Sequence, residues 1–250
     1  MKKHYLEKLG EPKKALIIFI EIVIGLFFSL ISLITFNEIA EYATSKNIAS
    51  LDTFFANFAL SIRTPFLTEA MLFFTNLGGP IFLTLATLII ALLLLKKHKR
   101  ETALFLVAII MGVILNASLK TMFDRQRPQL NPLVIEASKS FPSGHAMNNF
   151  IFYSLLVFLV FHLSKNKKLT MIAGLLSMFL VLTIGFSRIY LGVHYFSDVM
   201  AGFVGGFWWL VTILSVAYTM ILFDLFMPKL TLKEKIIAFL KKMVDAILRR

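Results

Sequence analysis

The chain has 250 residues, 58% of them hydrophobic, and a mean hydropathy of +0.81, far above a soluble globular average. It carries 26 Lys and Arg against 14 Asp and Glu and contains no cysteine, which excludes disulfides, thiolate nucleophiles and cysteine-held metals. The net charge of +12 is scattered between apolar runs rather than gathered on one soluble face, so the expected partner is a bilayer and not nucleic acid.

The first apolar run, about 15–36, is long for a signal-peptide core and is followed by no small-residue cleavage pattern. It reads as a retained span. The stretch 51–77 is interrupted by Arg63, Pro65 and Glu69 and ends at Gly78-Gly79-Pro80. It reads as amphipathic helical segments on the membrane surface, leading into a second span. Within it Leu51, Phe54, Phe55, Phe58 and Ile62 recur three or four apart, a face suited to anchoring at the interface or to walling a lipid's path. Further apolar runs fall at about 80–95, 102–119, 146–163, 170–190 and 199–223. A run of roughly 18–20 apolar residues crosses a ~30 Å hydrocarbon layer as helix, the form that satisfies its own backbone in lipid. The expected fold is therefore all-α and polytopic, with six transmembrane helices in one domain over 1–230.

The tail, 231–250, alternates Leu232, Ile236, Ile237, Leu240, Met243 and Ile247 with Lys and Arg at near-helical spacing. It predicts an interfacial amphipathic helix on the anionic cytoplasmic leaflet. Orientation follows from Lys and Arg in the short connections. With the N-terminus cytoplasmic, nineteen of the 26 fall inside, before Ala15, in Lys96–Arg100, in Lys165–Lys168 and after Phe223. The other seven fall outside: Lys46, Arg63, Lys120, Arg125, Arg127, Lys139 and Arg188. Both termini are thus expected in the cytoplasm of a multi-pass cell-membrane protein.

Two connections on the outer side are unusually polar. The first reads K-T-M-F-D-R-Q-R-P at 120–128 and continues to F-P-S-G-H at 141–145; the second reads S-R-I-Y-L-G-V-H-Y-F-S-D at 187–198. Charges at a bilayer edge are costly unless solvated, paired or functional, and here they collect at one end of the bundle. Lys120, Arg127 and Arg188 offer one point charge and two planar forks that suit phosphate oxygens. Ser143 can cap the following helix, while Gly144 permits close backbone approach. The first N–H groups of that helix then point at an anion.

His194 and Asp198 lie four apart, on one face of a helix. Asp198 can fix the tautomer of His194 and support the charge that develops as the other ring nitrogen attacks phosphorus. His145, beside the cradle, can give a proton to a leaving oxygen. The two histidines and Asp198 also resemble metal ligands, but Lys120, Arg125, Arg127 and Arg188 would repel a divalent cation. No cofactor and no metal is expected.

These residues form three ordered motifs: K-x6-R-P (Lys120, Arg127, Pro128), P-S-G-H (Pro142 to His145) and S-R-x5-H-x3-D (Ser187, Arg188, His194, Asp198). Together they resemble the signature of the type 2 phosphatidic acid phosphatase family, whose relatives include bacterial lipid phosphatases and the vanadium haloperoxidases. The resemblance covers Lys120 to Asp198 directly, with no departure at a signature position. It implies that His194 becomes a phosphohistidine with Asp198 as its partner, and that His145 protonates the leaving alkoxide and later helps activate water. It also implies that Lys120, Arg127, Ser143, Gly144 and Arg188 hold the phosphoryl oxygens. Asp124 and Arg125, inside the first motif, receive no role.

The implied activity is a metal-independent lipid phosphate or pyrophosphate phosphatase with its site facing the extracellular or periplasmic side. Undecaprenyl pyrophosphate, phosphatidylglycerophosphate and phosphatidic acid are the candidate substrates. A lipid phosphoryl transferase would share every one of these residues. A transporter would also have six spans, but would place its ionisable groups nearer the midplane.

Overall fold

The computed structural model describes residues 11–44, 50–129 and 131–226, together with Ile237 and Lys241. Among the described residues there are eight helices and no strand: α1 (Glu11–Thr44), α2 (Ser50–Ser61), α3 (Pro65–Leu77), α4 (Pro80–Leu95), α5 (Lys99–Phe123), α6 (Gly144–Ser164), α7 (Lys167–Tyr190) and α8 (Phe196–Phe226). The expected tail helix at 231–250, and with it the domain boundary at 230, lies outside the described residues apart from Ile237 and Lys241.

Five helices are long and apolar enough to cross a membrane: α1 from Leu16, α5, α6, α7, and α8 to Met220. Helix α4 has 16 residues, about 24 Å of helix, which is short of a ~30 Å hydrocarbon layer. Helices α3 and α4, which meet at a bend of 43°, pass the same test of length and composition only when taken together, which gives six candidate spans if the bent pair counts as one. The expected second span at 80–95 is short of that length alone, and the segment before it, expected on the membrane surface, continues it as helix.

Local chemistry explains the bend. Thr64 caps α3 by accepting from the Leu67 N–H at 3.2 Å, with Pro65 at the first helical position. The helix stops where Gly78 N and Gly79 N turn back to Thr75 O and Asn76 O, and Pro80 has no N–H to continue the ladder. From α6, Asn149 Nδ2 donates to Gly78 O at 2.9 Å and the Tyr153 hydroxyl donates to Leu77 O at 3.2 Å. These bonds satisfy carbonyls that the break leaves without helical partners.

The chain divides into two units. The smaller comprises Met1–Phe27 and Thr212–Arg250; the larger, Phe28–Val211, holds every residue of the site described below. In the larger unit the outward surfaces are apolar, with Leu30 on α1, Leu92 and Leu93 on α4, and Leu175 and Leu176 on α7 all exposed, as a lipid solvent requires. Small residues lie inside, among them Ala59, Ala108, Ala146 and Ala201, which let helices approach closely. Phe36, Phe123 and Phe141 form an aromatic cluster, with Phe141 at 5.7 Å from Phe36 and 4.9 Å from Phe123. It seats the end of the 124–143 loop on α1 and α5.

Helix α2 has two faces. Leu51, Phe54 and Phe58 are exposed, whereas Asp52, Phe55 and Ala59 turn inward at helical spacing. Phe55 stacks on Phe196 at the start of α8, ring centroids 4.0 Å apart. The apolar face expected to run from Leu51 to Ile62 is therefore shared: part of it faces outward, while Phe55 and Ile62 belong to the packing around the site.

Candidate active site

Antiparallel packing brings the C-terminal ends of α5 and α7 together with the N-terminal ends of α6 and α8. Lys120 closes α5, His145 opens α6, Arg188 closes α7, and His194 and Asp198 flank the start of α8. Asp124 ends α5 in the left-handed conformation, φ 46°, and Pro128 keeps the following loop from resuming a helix. Gly192, φ 75°, turns the chain from α7 to α8, a conformation that costs a glycine little.

His194 is the pivot of the site. It is 3% exposed, and its Nδ1 lies 3.3 Å from Oδ2 of the fully buried Asp198. Arg127 Nη1 lies 3.2 Å from Nε2. A guanidinium can only donate, so Nε2 presents its lone pair and the ring proton resides on Nδ1, toward Asp198. Burial drives the imidazole pKa down from 6.5 to about 4; Asp198 pulls it upward, and Arg127 and Arg188 push it further down. The ring is neutral at pH 7, as a nitrogen nucleophile requires.

Asp198 is held on all sides. Its Oδ2 also accepts from the Ser140 hydroxyl and from Tyr195 N at 2.9 Å, while Oδ1 accepts from Arg125 Nη1 at 2.5 Å. Arg125 reaches on through Nη2 to Asp52 Oδ2 at 2.9 Å, and its guanidinium lies 4.1 Å over the Tyr195 ring. Burial opposes the Arg125 charge, but Asp198 and Asp52 outweigh it and hold its pKa above the ordinary value.

The opposite side of His194 is rich in cations. Arg188, 2% exposed, donates from Nη1 to Thr75 Oγ1 at 2.6 Å and from Nη2 to Glu136, while its Nε has no hydrogen-bond partner among the described residues. Arg127 Nη2 lies 3.8 Å from the other Glu136 oxygen. Arg127 and Arg188 are thus bridged by one carboxylate. Lys120 Nζ donates to Lys139 O, which also accepts from Arg127 Nη2 at 3.4 Å. A cleft of about 440 Å³, lined by Arg127, Glu136, Lys139 and Val193 among others, opens beside this group.

The P-S-G-H segment behaves as its residue types require. Ser143 Oγ accepts from Ala146 N at 3.4 Å, and Ser143 N donates to Asp198 O at 2.9 Å, tying the loop to the first turn of α8. A Cβ on Gly144 would come within 2.9 Å of Asn116 Oδ1, so a larger residue there would require the Asn116 side chain to shift. His145 is half-buried, with Arg188, Arg127 and Lys120 as charged neighbours and His194 beside it. All eight expected residues therefore converge at one end of the bundle. Among the described residues no group of three or more His, Asp or Glu stands where a metal ion would be held.

Sequence reasoning missed four participants: Asp52, Arg125, Glu136 and Ser140. Arg125 lies inside the first motif, at a position to which the resemblance gives no role. Asp52 was legible only as an acid in an otherwise apolar amphipathic segment. Nothing in the local sequence of Ser140 or Glu136 marks them, because their partners lie 58 and 52 residues away.

Comparison with known proteins agrees with the geometry. The family model of the PAP2 superfamily matches residues 101–221. Phosphatidylglycerophosphatase B of Bacillus subtilis is 39% identical over 181 residues, covering 69% of this chain and 87% of that protein. Lipid A 4'-phosphatase of Bacteroides thetaiotaomicron is 30% identical over 180 residues, covering 64% of this chain and 74% of that protein. Among solved structures, a transmembrane PAP2-type phosphatidylglycerolphosphate phosphatase from Bacillus subtilis superposes with a TM-score of 0.72 at 31% identity, over 78% of this chain and 98% of that one. Aquifex aeolicus LpxE superposes with a TM-score of 0.54 at 26% identity, over 68% of this chain and 97% of that one. With its three motifs gathered at one end of an all-helical membrane bundle, the chain belongs to the PAP2 superfamily, as a multi-pass membrane phosphatase.

Proposed function

We propose that this PAP2-type lipid phosphatase hydrolyses the terminal phosphate of a lipid phosphate through a phosphohistidine on His194, at the outer face of the membrane, with phosphatidylglycerophosphate as its preferred substrate. The observation that carries the mechanism is the clamped, neutral His194. Its Nδ1 is directed to Asp198 and its Nε2 to the cationic pocket.

In the first step Nε2 attacks phosphorus, the bond from phosphorus to the ester oxygen breaks, and His145 gives its proton to the leaving alkoxide. Asp198 supports the positive charge that forms on the His194 ring. In the second step His145 takes a proton from water, the water oxygen attacks phosphorus, and the phosphorus–nitrogen bond breaks to release inorganic phosphate. Arg127, Arg188, Lys120, the Ser143 hydroxyl and the Gly144 N–H opening α6 hold the phosphoryl oxygens, where charge spreads in the transition state. Arg127 moves its donor from Nε2 to a phosphoryl oxygen as the substrate seats, and the Glu136 carboxylate yields its place between the two arginines.

The outer location rests on the Lys and Arg distribution between the spans. The choice of substrate rests on the relative from Bacillus subtilis, whose name specifies phosphatidylglycerophosphate. The test is phosphate release by the detergent-purified chain, in EDTA, from phosphatidylglycerophosphate, phosphatidic acid and undecaprenyl pyrophosphate, beside His194→Ala. Release that is fastest from phosphatidylglycerophosphate and lost in the variant is expected. Equal release by the variant would sink the nucleophile assignment, and faster release from another lipid would replace the substrate.

A further inference from the structure

Behind Asp198 lies a buried ionic chain that neither the three motifs nor the comparisons assign. Asp52 on α2 is 1% exposed, and both its oxygens are engaged: Oδ1 by Ser197 N at 2.8 Å, Oδ2 by Ser197 Oγ at 2.7 Å and by Arg125 Nη2 at 2.9 Å. Asp52 thereby caps the first turn of α8 from another helix. Arg125 Nη1 divides between Ser197 Oγ at 2.8 Å and Asp198 Oδ1 at 2.5 Å. The guanidinium fork is planar and lies over the Tyr195 ring, so it has little freedom to turn.

Two consequences follow for His194. A carboxylate held at one oxygen can rotate about its bond to Cβ; with Oδ1 pinned from behind by Arg125, the plane of Asp198 is fixed and Oδ2 stays on Nδ1. The second consequence is electrostatic. A lone arginine paired with Asp198 would cancel the negative charge that supports a phosphorylated, cationic imidazole. With Asp52 sharing that arginine, the chain carries two negative charges and one positive, so one net negative charge remains behind the nucleophile. At the short distances and low polarity of this site, that difference is large.

We propose that Asp52 and Arg125 are positioning residues for the reaction, acting through Asp198: they fix its carboxylate on His194 and preserve a net negative charge behind the ring. The inference rests on the reading of His194 as nucleophile and Asp198 as its partner. It makes helix α2, outside all three motifs, a working part of the site.

The test compares Asp52→Asn, Arg125→Lys, Asp198→Asn and the double variant Asp52→Asn/Asp198→Asn, each as full-length purified protein assayed for kcat and KM in EDTA. His194→Ala serves as the control. Asparagine keeps the shape of Asp52 but removes its charge, and kcat is expected to fall roughly 10- to 100-fold, as for other outer partners of a functional group, with KM nearly unchanged. Lysine at 125 keeps the charge but loses the fork, and is expected to lower kcat alone in the same way. In the Asp198→Asn background the Asp52 change is expected to cost less than about threefold, because its route of action is already cut. Wild-type kcat in folded Asp52→Asn, or a full multiplicative loss in the double variant, would overturn the proposal and leave Asp52 as a brace between α2 and α8. Should Asp52→Asn fail to fold, Arg125→Lys decides alone: unchanged kcat overturns the proposal, and a kcat-only loss supports it. Activity retained by His194→Ala would instead refute the underlying reading.

Discussion

The two sides of His194 are built on opposite plans. Behind Nδ1 the structure is closed: Asp198, Ser140, Arg125 and Asp52 use hydrogen bond upon hydrogen bond, and Asp198 and Asp52 are essentially without solvent contact. In front of Nε2 it is exchangeable: Arg127 and Arg188 share Glu136, whose side chain is 31% exposed, and Arg188 Nε has no partner among the described residues. On the proposed mechanism the difference has a reason: groups that orient a nucleophile gain from permanent partners, whereas groups that bind an anion must be able to give theirs up.

The largest break in this comparison is expected from the closed side. Asp198→Asn leaves the shape nearly intact but removes the charge and the tautomer preference of His194, and kcat is expected to fall by roughly 10³- to 10⁴-fold with little change in KM. Steady-state kinetics on the purified variant measures this, and a loss confined to KM would contradict it. Arg188→Lys tests the open side. The fork that spans Thr75 and an anion becomes a single point donor, and kcat/KM is expected to fall about 10²- to 10³-fold, as for loss of one stabilising donor. Inhibition by inorganic phosphate should weaken in parallel, which the Asp198 variant should not show.

Ser140→Ala removes one hydrogen bond to a buried charge, worth about 1.5–3 kcal/mol, and its effect should again fall on kcat. The smallest change is one of pH. His194 must be neutral to attack, and its pKa lies at about 4 rather than 6.5, so kcat/KM should hold through pH 6 and lose its nucleophile-linked half only near pH 4. Replacing Arg127 by Gln removes a neighbouring positive charge that lowers this pKa, so the acid limb should move to higher pH. A limb that stays in place, or moves down, would show that another group governs it.

Much of this molecule is legible in its sequence. The apolar runs from 102 onward coincide with α5 to α8, because in lipid a long apolar segment has only the helix available to it. The eight motif residues could be assembled because they sit at helix ends, where capping and dipole chemistry leave clear residue preferences. The bent pair α3 and α4 is less legible. Pro65 and the Gly78-Gly79-Pro80 break look like interruptions in one dimension, whereas Asn149 and Tyr153, reaching from α6, take up the Gly78 and Leu77 carbonyls at the bend.

By itself, the sequence determined the class of fold and which polar residues gather at one end of the bundle, since each depends on side-chain chemistry and spacing within a few turns of chain. The tertiary structure decided which partners stand behind that chemistry. Asp52 lies 73 residues from Arg125, and Ser140 lies 58 from Asp198. A buried charge is tolerable only when oppositely charged or polar groups surround it in three dimensions, and no local pattern records which distant element will supply them.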